Sequence, residues 1–227
     1  FQIKGPCKIK GEVEISGAKN SALVLLAATL LFDKPVTLKN LPRVRDIDTM
    51  LNLLKSLGSK IILSKDKKIV KIQNKKKMKT LAKYSLVKTM RASILVLGPL
   101  ISKFHKSITS YPGGCNIGSR PVNYHLSALK KLGMKYEIKK GYIYANTKGK
   151  LEGAKIRFSK ISVGATENTI IAACLANGIT TLRNCAIEPE IVDLINFLKS
   201  GGAKIKFVGK RTLKIEGIKS LKSTSYA

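Results

Sequence analysis

Acidic residues are scarce in this sequence: 13 Asp+Glu stand against 43 Lys+Arg, a formal net charge of +30 over 227 residues. Such a field invites a nucleic-acid reading, yet what that reading needs is also scarce. Only seven of the cations are Arg, at positions 43, 45, 91, 120, 157, 183 and 211, and the remaining 36 are Lys spread over nearly the whole chain. Specific base and phosphate recognition concentrates the bidentate guanidinium. Tryptophan is absent, aromatics make up 6%, and no basic run is interleaved with stacking rings. The densest run, residues 74–79, separates two structured segments and reads as a solvated loop. Dispersed Lys is therefore read as a compositional habit, with loose polyanion attraction as its by-product and no specific nucleic-acid partner.

Long apolar runs are missing as well. The longest, 22–32 and 94–101, are too short to span a bilayer, and no apolar block follows a basic start. The four cysteines form no CxxC pair and no zinc spacing with His105 or His125, so neither a metal nor another cofactor is expected. Cys174 and Cys185 read as small buried hydrophobes, Cys7 carries no signal, and a reducing cytoplasm fits. The first residue is Phe1, so the true start is expected upstream.

What is present is a repeat. Three segments line up on glycine: Lys55-Ser-Leu-Gly58-Ser-Lys-Ile61, Lys130-Lys-Leu-Gly133-Met-Lys-Tyr136 and Lys199-Ser-Gly-Gly202-Ala-Lys-Ile205. Spacings of 75 and 69 residues are too long for solenoid units and indicate triplicated subdomains. Each glycine follows an amphipathic helix, marked by Ile47, Met50, Leu51 and Leu54, by Val122, Leu126 and Leu129, and by Ile191, Leu194, Ile195 and Leu198. The glycine supplies a left-handed cap. Two strands follow each time, predicted at 60–63 with 69–72, 135–138 with 142–145, and 204–208 with 212–216. Upstream, each copy opens with a helix apolar on most sides, at 21–32, 87–102 and 166–176, which marks it as buried. Between the two helices lies a strand, at 36–39, 107–110 and 180–183. The plan is an α/β fold with three buried helices at the centre and sheets and amphipathic helices outside. Segments 2–4 and 8–15 read as short strands outside this scheme, and the chain is expected to be cut on its C-terminal side.

Departures from a repeat are where chemistry is most readily added. The loop before the amphipathic helix is short in copies one and three but swells in copy two to Tyr111-Pro-Gly-Gly-Cys115-Asn-Ile-Gly-Ser-Arg120-Pro121. Either Cys115 is an exposed thiol whose pKa Arg120 depresses, or it is incidental to a mobile glycine loop. Lys19 and Asn20 stand at the opening of the first buried helix, in the posture of a phosphate or carboxylate holder. Arg91 on an apolar helix must snorkel or pair, which makes an anion site one reading of it. Lys160-Ile-Ser162-Val-Gly-Ala-Thr166 offers backbone donors at a helix start, although simple N-capping is the plainer role for each hydroxyl. His125 caps or fills space, with no catalytic role assigned.

Gly17-Ala-Lys19-Asn20, Lys88-Thr-Met-Arg91-Ala-Ser, Pro112-Gly-Gly-Cys115-Asn-Ile-Gly-Ser-Arg120-Pro121-Val122 and Ser162-Val-Gly-Ala-Thr166 together resemble the UDP-N-acetylglucosamine 1-carboxyvinyltransferase family. The resemblance runs through all 227 residues, and the Cys115 loop is its most specific element. It implies an inside-out α/β barrel of two domains, each made of three βαβαββ units around buried helices. Residues 19–227 would then be one triplicated domain, with repeats at about 19–80, 81–150 and 151–227. Residues 1–18 would be the first strands of the other, whose remainder lies in a C-terminal half of the same enzyme.

The implied reaction moves the enolpyruvyl group of phosphoenolpyruvate to the 3-hydroxyl of UDP-N-acetylglucosamine and releases phosphate, the first committed step of peptidoglycan synthesis. By the same resemblance Cys115 is the loop thiol that acts as acid, forms a covalent adduct and is the target of epoxide antibiotics of the fosfomycin type. Lys19, Asn20 and Arg120 would contact phosphoenolpyruvate. Arg91, the stretch Arg120, Pro121, Val122, Asn123, Tyr124 and the stretch Lys160, Ile161, Ser162, Val163 would hold the UDP-sugar. Two positions depart from the family pattern: Asn123 replaces the usual Asp, and Tyr124 stands where Leu is common. The competing readings are a non-catalytic UDP-sugar-binding fragment and an enzyme of the enolpyruvylshikimate-phosphate synthase type, whose pattern lacks the Cys115 loop.

Overall fold

The structure, a computed structural model, describes residues 2–84, 90–111 and 122–227. The first unit holds α1 (Lys19–Ala28), which runs on into a 3-10 turn at Thr29–Leu31, then β1 (Val36–Leu38), α2 (Arg45–Leu57), β2 (Lys60–Leu63) and β3 (Val70–Gln73). The second holds β4 (Leu81–Ala82), a 3-10 helix (Arg91–Val96), α3 (Leu97–Phe104), β5 (Lys106–Ser110), α4 (Asn123–Lys131), β6 (Lys135–Lys139) and β7 (Tyr142–Asn146). The third holds β8 (Lys155–Arg157), α5 (Val163–Ala173), β9 (Ile179–Arg183), α6 (Pro189–Ser200), β10 (Lys204–Gly209) and β11 (Thr212–Glu216), and β12 (Thr224–Tyr226) follows.

These strands make three four-stranded sheets of one design: β12-β1-β3-β2, β4-β5-β7-β6 and β8-β9-β11-β10. In each, the first strand runs parallel to the second and the remaining pairs are antiparallel. The units are thus βαβαββ, with one twist: the opening strand of the first unit is β12, from the end of the chain. The residues after Gly217, to which the sequence assigned no element, fold back to complete the first sheet. Strands of two or three residues such as β4, β8 and β12 carry too little alternation to be seen in the sequence.

The amphipathic helices end alike. Gly58, Gly133 and Gly202 take φ of 116°, 103° and 97°, and the next residue donates its amide five residues back. The bonds are Ser59 to Leu54, Met134 to Leu129 and Ala203 to Leu198, at 3.0, 3.1 and 3.0 Å. A left-handed residue that returns the chain this way satisfies the open carbonyls of the last turn, and it is a conformation in which glycine has no Cβ to strain.

The central helices are buried nearly throughout, from Ser21 to Ala28 in α1, Leu97 to Ser102 in α3 and Ala165 to Ala173 in α5. The second of them differs from expectation. Residues 91–96 wind as 3-10 helix and only 97–104 as α-helix. The cause lies in a neighbour: the Asn168 amide inserts into the ladder, donating to Ile94 O at 3.0 Å and accepting from Gly98 N at 2.7 Å. Those two groups would bond each other in a continuous α-helix, and Pro99 just beyond has no amide to offer. The segments 2–4 and 8–15 are not strands. They have no regular structure, and Ile3, Ile9, Val13 and Ile15 are 85–95% exposed. An extended segment without an edge to pair with has no ladder to join.

Candidate active site

The N-terminal ends of α1, the 3-10 helix and α5 converge on a cavity of about 460 Å³, walled also by Asp46, His125, Glu167 and Glu190. A helix start presents amides without intrahelical partners and the positive end of the peptide dipole. At α1 the N-cap is Ala18, which has no side-chain acceptor, so the first amides stay open. At α5 Ser162 accepts from Ala165 N at 3.3 Å and closes one of them. Two such ends beside one cavity favour an anion.

A second cavity of about 710 Å³ shares Lys19, Asn20 and Glu190 with the first and continues past Asp193 to Tyr226. Asp193 binds Ser21 Oγ through one oxygen and Tyr226 OH through the other, the latter at 2.6 Å. It ties α1, α6 and β12 together along that wall. Across the shared mouth Lys19 Nζ pairs with Asp46 Oδ2 at 3.0 Å, both ends being well exposed. An exposed pair of this kind is worth little, so Lys19 is available for exchange to an incoming anion.

The floor is more tightly built. Asn168 Nδ2, already on Ile94 O, lies 3.1 Å from His125 Nδ1. A Cβ on Gly164 would stand 3.1 Å from the His125 ring, so a side chain there would require the ring to shift by a few tenths of an ångström. Glu167 is buried beside it, and burial, reinforced by Glu190 and then Glu188, pushes its carboxyl up to about 8.

With this geometry in place, comparison with known proteins is decisive. The family model for EPSP synthase (3-phosphoshikimate 1-carboxyvinyltransferase) matches residues 3–227. The chain belongs to the EPSP synthase family. Within it, the chain is 60% identical over all 227 residues to the UDP-N-acetylglucosamine 1-carboxyvinyltransferase of Pelagibacter ubique, and 48% identical to that of Acinetobacter baylyi. In both cases it spans 54% of the relative, so the chain covers about half the length of the curated family members it matches. Among solved structures, the enolpyruvyl transferase NikO of Streptomyces tendae superposes with a TM-score of 0.81 at 19% identity, over 98% of this chain and 52% of that one. The EPSP synthase of Acinetobacter baumannii gives 0.76 at 15%, over 95% and 48%. At such identities these two structures speak for the fold, which is that of the enolpyruvyl transferases.

The sequence-predicted residues are brought together unevenly. Lys19, Asn20, Ser162 and Val163 line the smaller cavity, and Arg91 opens the 3-10 helix that forms one wall. The side chain of Arg91 and the whole of Cys115, Arg120 and Pro121 lie outside the described residues. Val122 is buried as the N-cap of α4, and Asn123 Oδ1 accepts from the Tyr124 amide at 3.0 Å, a local turn-like role. Asn123 and Tyr124 do not line either cavity, and Lys160 and Ile161 are exposed just before it.

The polar wall residues of the smaller cavity missed by sequence reasoning are Asp46, Glu190, His125 as part of the wall, and Glu167. The available signal for the last was a Glu-Asn pair inside an otherwise apolar helix. No group of three His, Cys, Asp or Glu suited to a metal occurs among the described residues, and none of their helices is long and apolar enough to cross a membrane.

Proposed function

We propose that this chain is the substrate-gathering half of an enzyme that transfers the enolpyruvyl group of phosphoenolpyruvate to the 3-hydroxyl of UDP-N-acetylglucosamine, releasing phosphate, in cytoplasmic peptidoglycan synthesis. The observation that carries the reading is 60% identity, along the whole chain, to a protein of that activity. The cavity where Lys19, Asn20, Ser162 and Val163 meet supports it.

The chemistry sets the demands. Protonation of the methylene carbon of phosphoenolpyruvate makes the phosphate-bearing carbon electrophilic. The sugar oxygen then bonds to that carbon as its own proton leaves to a base. Loss of the added proton from the methyl group and departure of phosphate restore the double bond. The acid in this scheme is Cys115, whose thiol also adds reversibly to the same carbon and is the group alkylated by epoxides of the fosfomycin type.

Lys19 turns from Asp46 toward the phosphate or carboxylate of phosphoenolpyruvate, and Asn20 and Arg120 hold the same anion. The nucleotide diphosphate lies against Arg91, the stretch 120–124 and the stretch 160–163. Asn123 already satisfies a neighbouring amide, so its contribution is made through the backbone. Because the chain spans 54% of its relatives, the base and the further cations that turnover needs are assigned to the part of the family length it does not span.

Phosphate release from phosphoenolpyruvate with UDP-N-acetylglucosamine as acceptor is the test, run on this chain and on the product of the full reading frame. Release by the longer product alone is expected. Steady turnover by the 227-residue chain would sink the division of labour. A longer product that accepts shikimate 3-phosphate in place of the UDP-sugar would overturn the acceptor.

A further inference from the structure

Acidic residues number 13 in this chain, and four of them, Asp46, Glu167, Glu188 and Glu190, gather at or beside one cavity. Asp46 is answered by Lys19. Glu167 is the anomaly. It is 5% exposed, it lines the cavity, and no hydrogen bond or ion pair to its carboxyl occurs among the described residues. A buried carboxylate in that position is costly, and a buried carboxylic acid with its O–H unmet is a donor in want of an acceptor.

Its surroundings decide between the two forms. Glu188, before α6, and Glu190, in its first turn, repel a charge on Glu167. From α4 it faces His125, whose Nδ1 is engaged with Asn168. From the 3-10 helix it faces apolar Ile94 and Leu95, the side chain of Arg91 lying outside the described residues. Across the cavity stand Lys19 and Asp46, from α1 and α2, paired with each other at 3.0 Å in the absence of a ligand.

We propose that Glu167 is a substrate-binding residue that works as the neutral acid, donating its O–H to an uncharged acceptor of the sugar, an amide carbonyl or a hydroxyl oxygen, from the wall of the 460 Å³ cavity. This rests on the functional reading above and deepens it: the helix starts and cations take the anions, and Glu167 takes the neutral part of the acceptor substrate. Ionisation removes the donor and places a third negative charge beside Glu188 and Glu190. Affinity therefore falls as pH rises through the ionisation of Glu167, which burial sets at about 8.

The test is calorimetric titration of the 227-residue chain with UDP-N-acetylglucosamine from about pH 6.5 to 9.5, for the parent and for Glu167→Gln and Glu167→Leu, with the Glu167 carboxyl followed by carbon NMR. The parent should lose about tenfold in affinity per pH unit above the carboxyl's midpoint. Glu167→Gln, which keeps a donor and cannot ionise, should bind within about threefold of the parent near neutral pH and show a flat profile. Glu167→Leu should bind weakly at every pH. Saturating ligand should raise the NMR midpoint.

Binding with the same pH profile in the parent and Glu167→Gln, and an NMR midpoint indifferent to ligand, would overturn the role of Glu167 and leave the functional reading standing. No binding at any pH would overturn the assignment of the sugar to this cavity, and the role of Glu167 with it.

Discussion

Single residues in this chain are readable by what their burial does to them. The folded-state pKa of Glu167 lies near 8, against an ordinary 4.5, through burial first and then through Glu190 and Glu188. A raised folded value means that the native state holds the proton longer than the unfolded chain. The stability this confers is complete below about pH 4.5 and is lost as pH climbs through about 8. Glu167→Gln removes that loss. In urea unfolding at about pH 9 the variant should exceed the parent by on the order of 3–5 kcal/mol, and the two should converge at low pH. Equal stability at high pH would contradict the buried-acid description.

The cysteines sort by the same logic. Burial pushes Cys174 up to about 12 and Cys185 to about 11, whereas Cys7 is exposed. Since the thiolate is the nucleophile, an alkylating reagent near pH 8 should label Cys7 in the native chain and spare Cys174 and Cys185 until it unfolds. Peptide mass mapping reads the order, and early labelling of Cys174 would contradict the assigned burial.

At the scale of elements, the helix pairs show how close the centre is packed. A Cβ at Gly98 would lie 2.2 Å from Asn168 Oδ1 and 2.5 Å from its backbone oxygen. Gly98→Ala must therefore part α3 from α5 or eject the Asn168 amide. A loss of about 2–4 kcal/mol in urea unfolding is expected, and a loss under about 0.5 kcal/mol would contradict the contact.

The amphipathic helices and their glycine stops were legible because periodicity and a left-handed cap are local signals: Gly58, Gly133 and Gly202 all ended helices as their spacing implied. The long buried helix predicted from 87 onward was not, because the interruption of its described part is caused by Asn168, some 70 residues away. Segments 2–4 and 8–15 carry no regular structure in this chain for the complementary reason. Alternation marks a capacity to pair, and no partner edge meets them here. Lys19, Asn20, Ser162 and Val163, which the sequence singled out, line one cavity, whereas Glu167 acquires its character from Glu188 and Glu190 on another segment.

For the whole molecule, three like units close around one core, and closure depends on the return of β12 to β1. Tyr226 secures that strand from two sides, with its ring edge-on to Phe197 at 5.5 Å and its hydroxyl on Asp193. Tyr226→Phe should cost about 1–3 kcal/mol and Tyr226→Ala about 3–5 kcal/mol in chemical denaturation, and an unchanged midpoint in the alanine variant would mean that closure does not hold the fold.

The charge of +30 is a property of the same scale. Its dispersed lysines make a diffuse field, while at one end of the bundle Lys19 and the helix starts share a cavity with the carboxyls of Asp46, Glu167 and Glu190. The most direct test of that picture is amide chemical-shift mapping of the 227-residue chain titrated with UDP-N-acetylglucosamine. The prediction is that Lys19–Ser21, Ala92–Leu95 and Ser162–Gly164 shift together along a single saturable curve, three distant segments responding as one site. Perturbation confined to the basic groove of Arg43, Arg45, Lys65 and Lys67 at the start of α2, or spread evenly over the lysines, would contradict it.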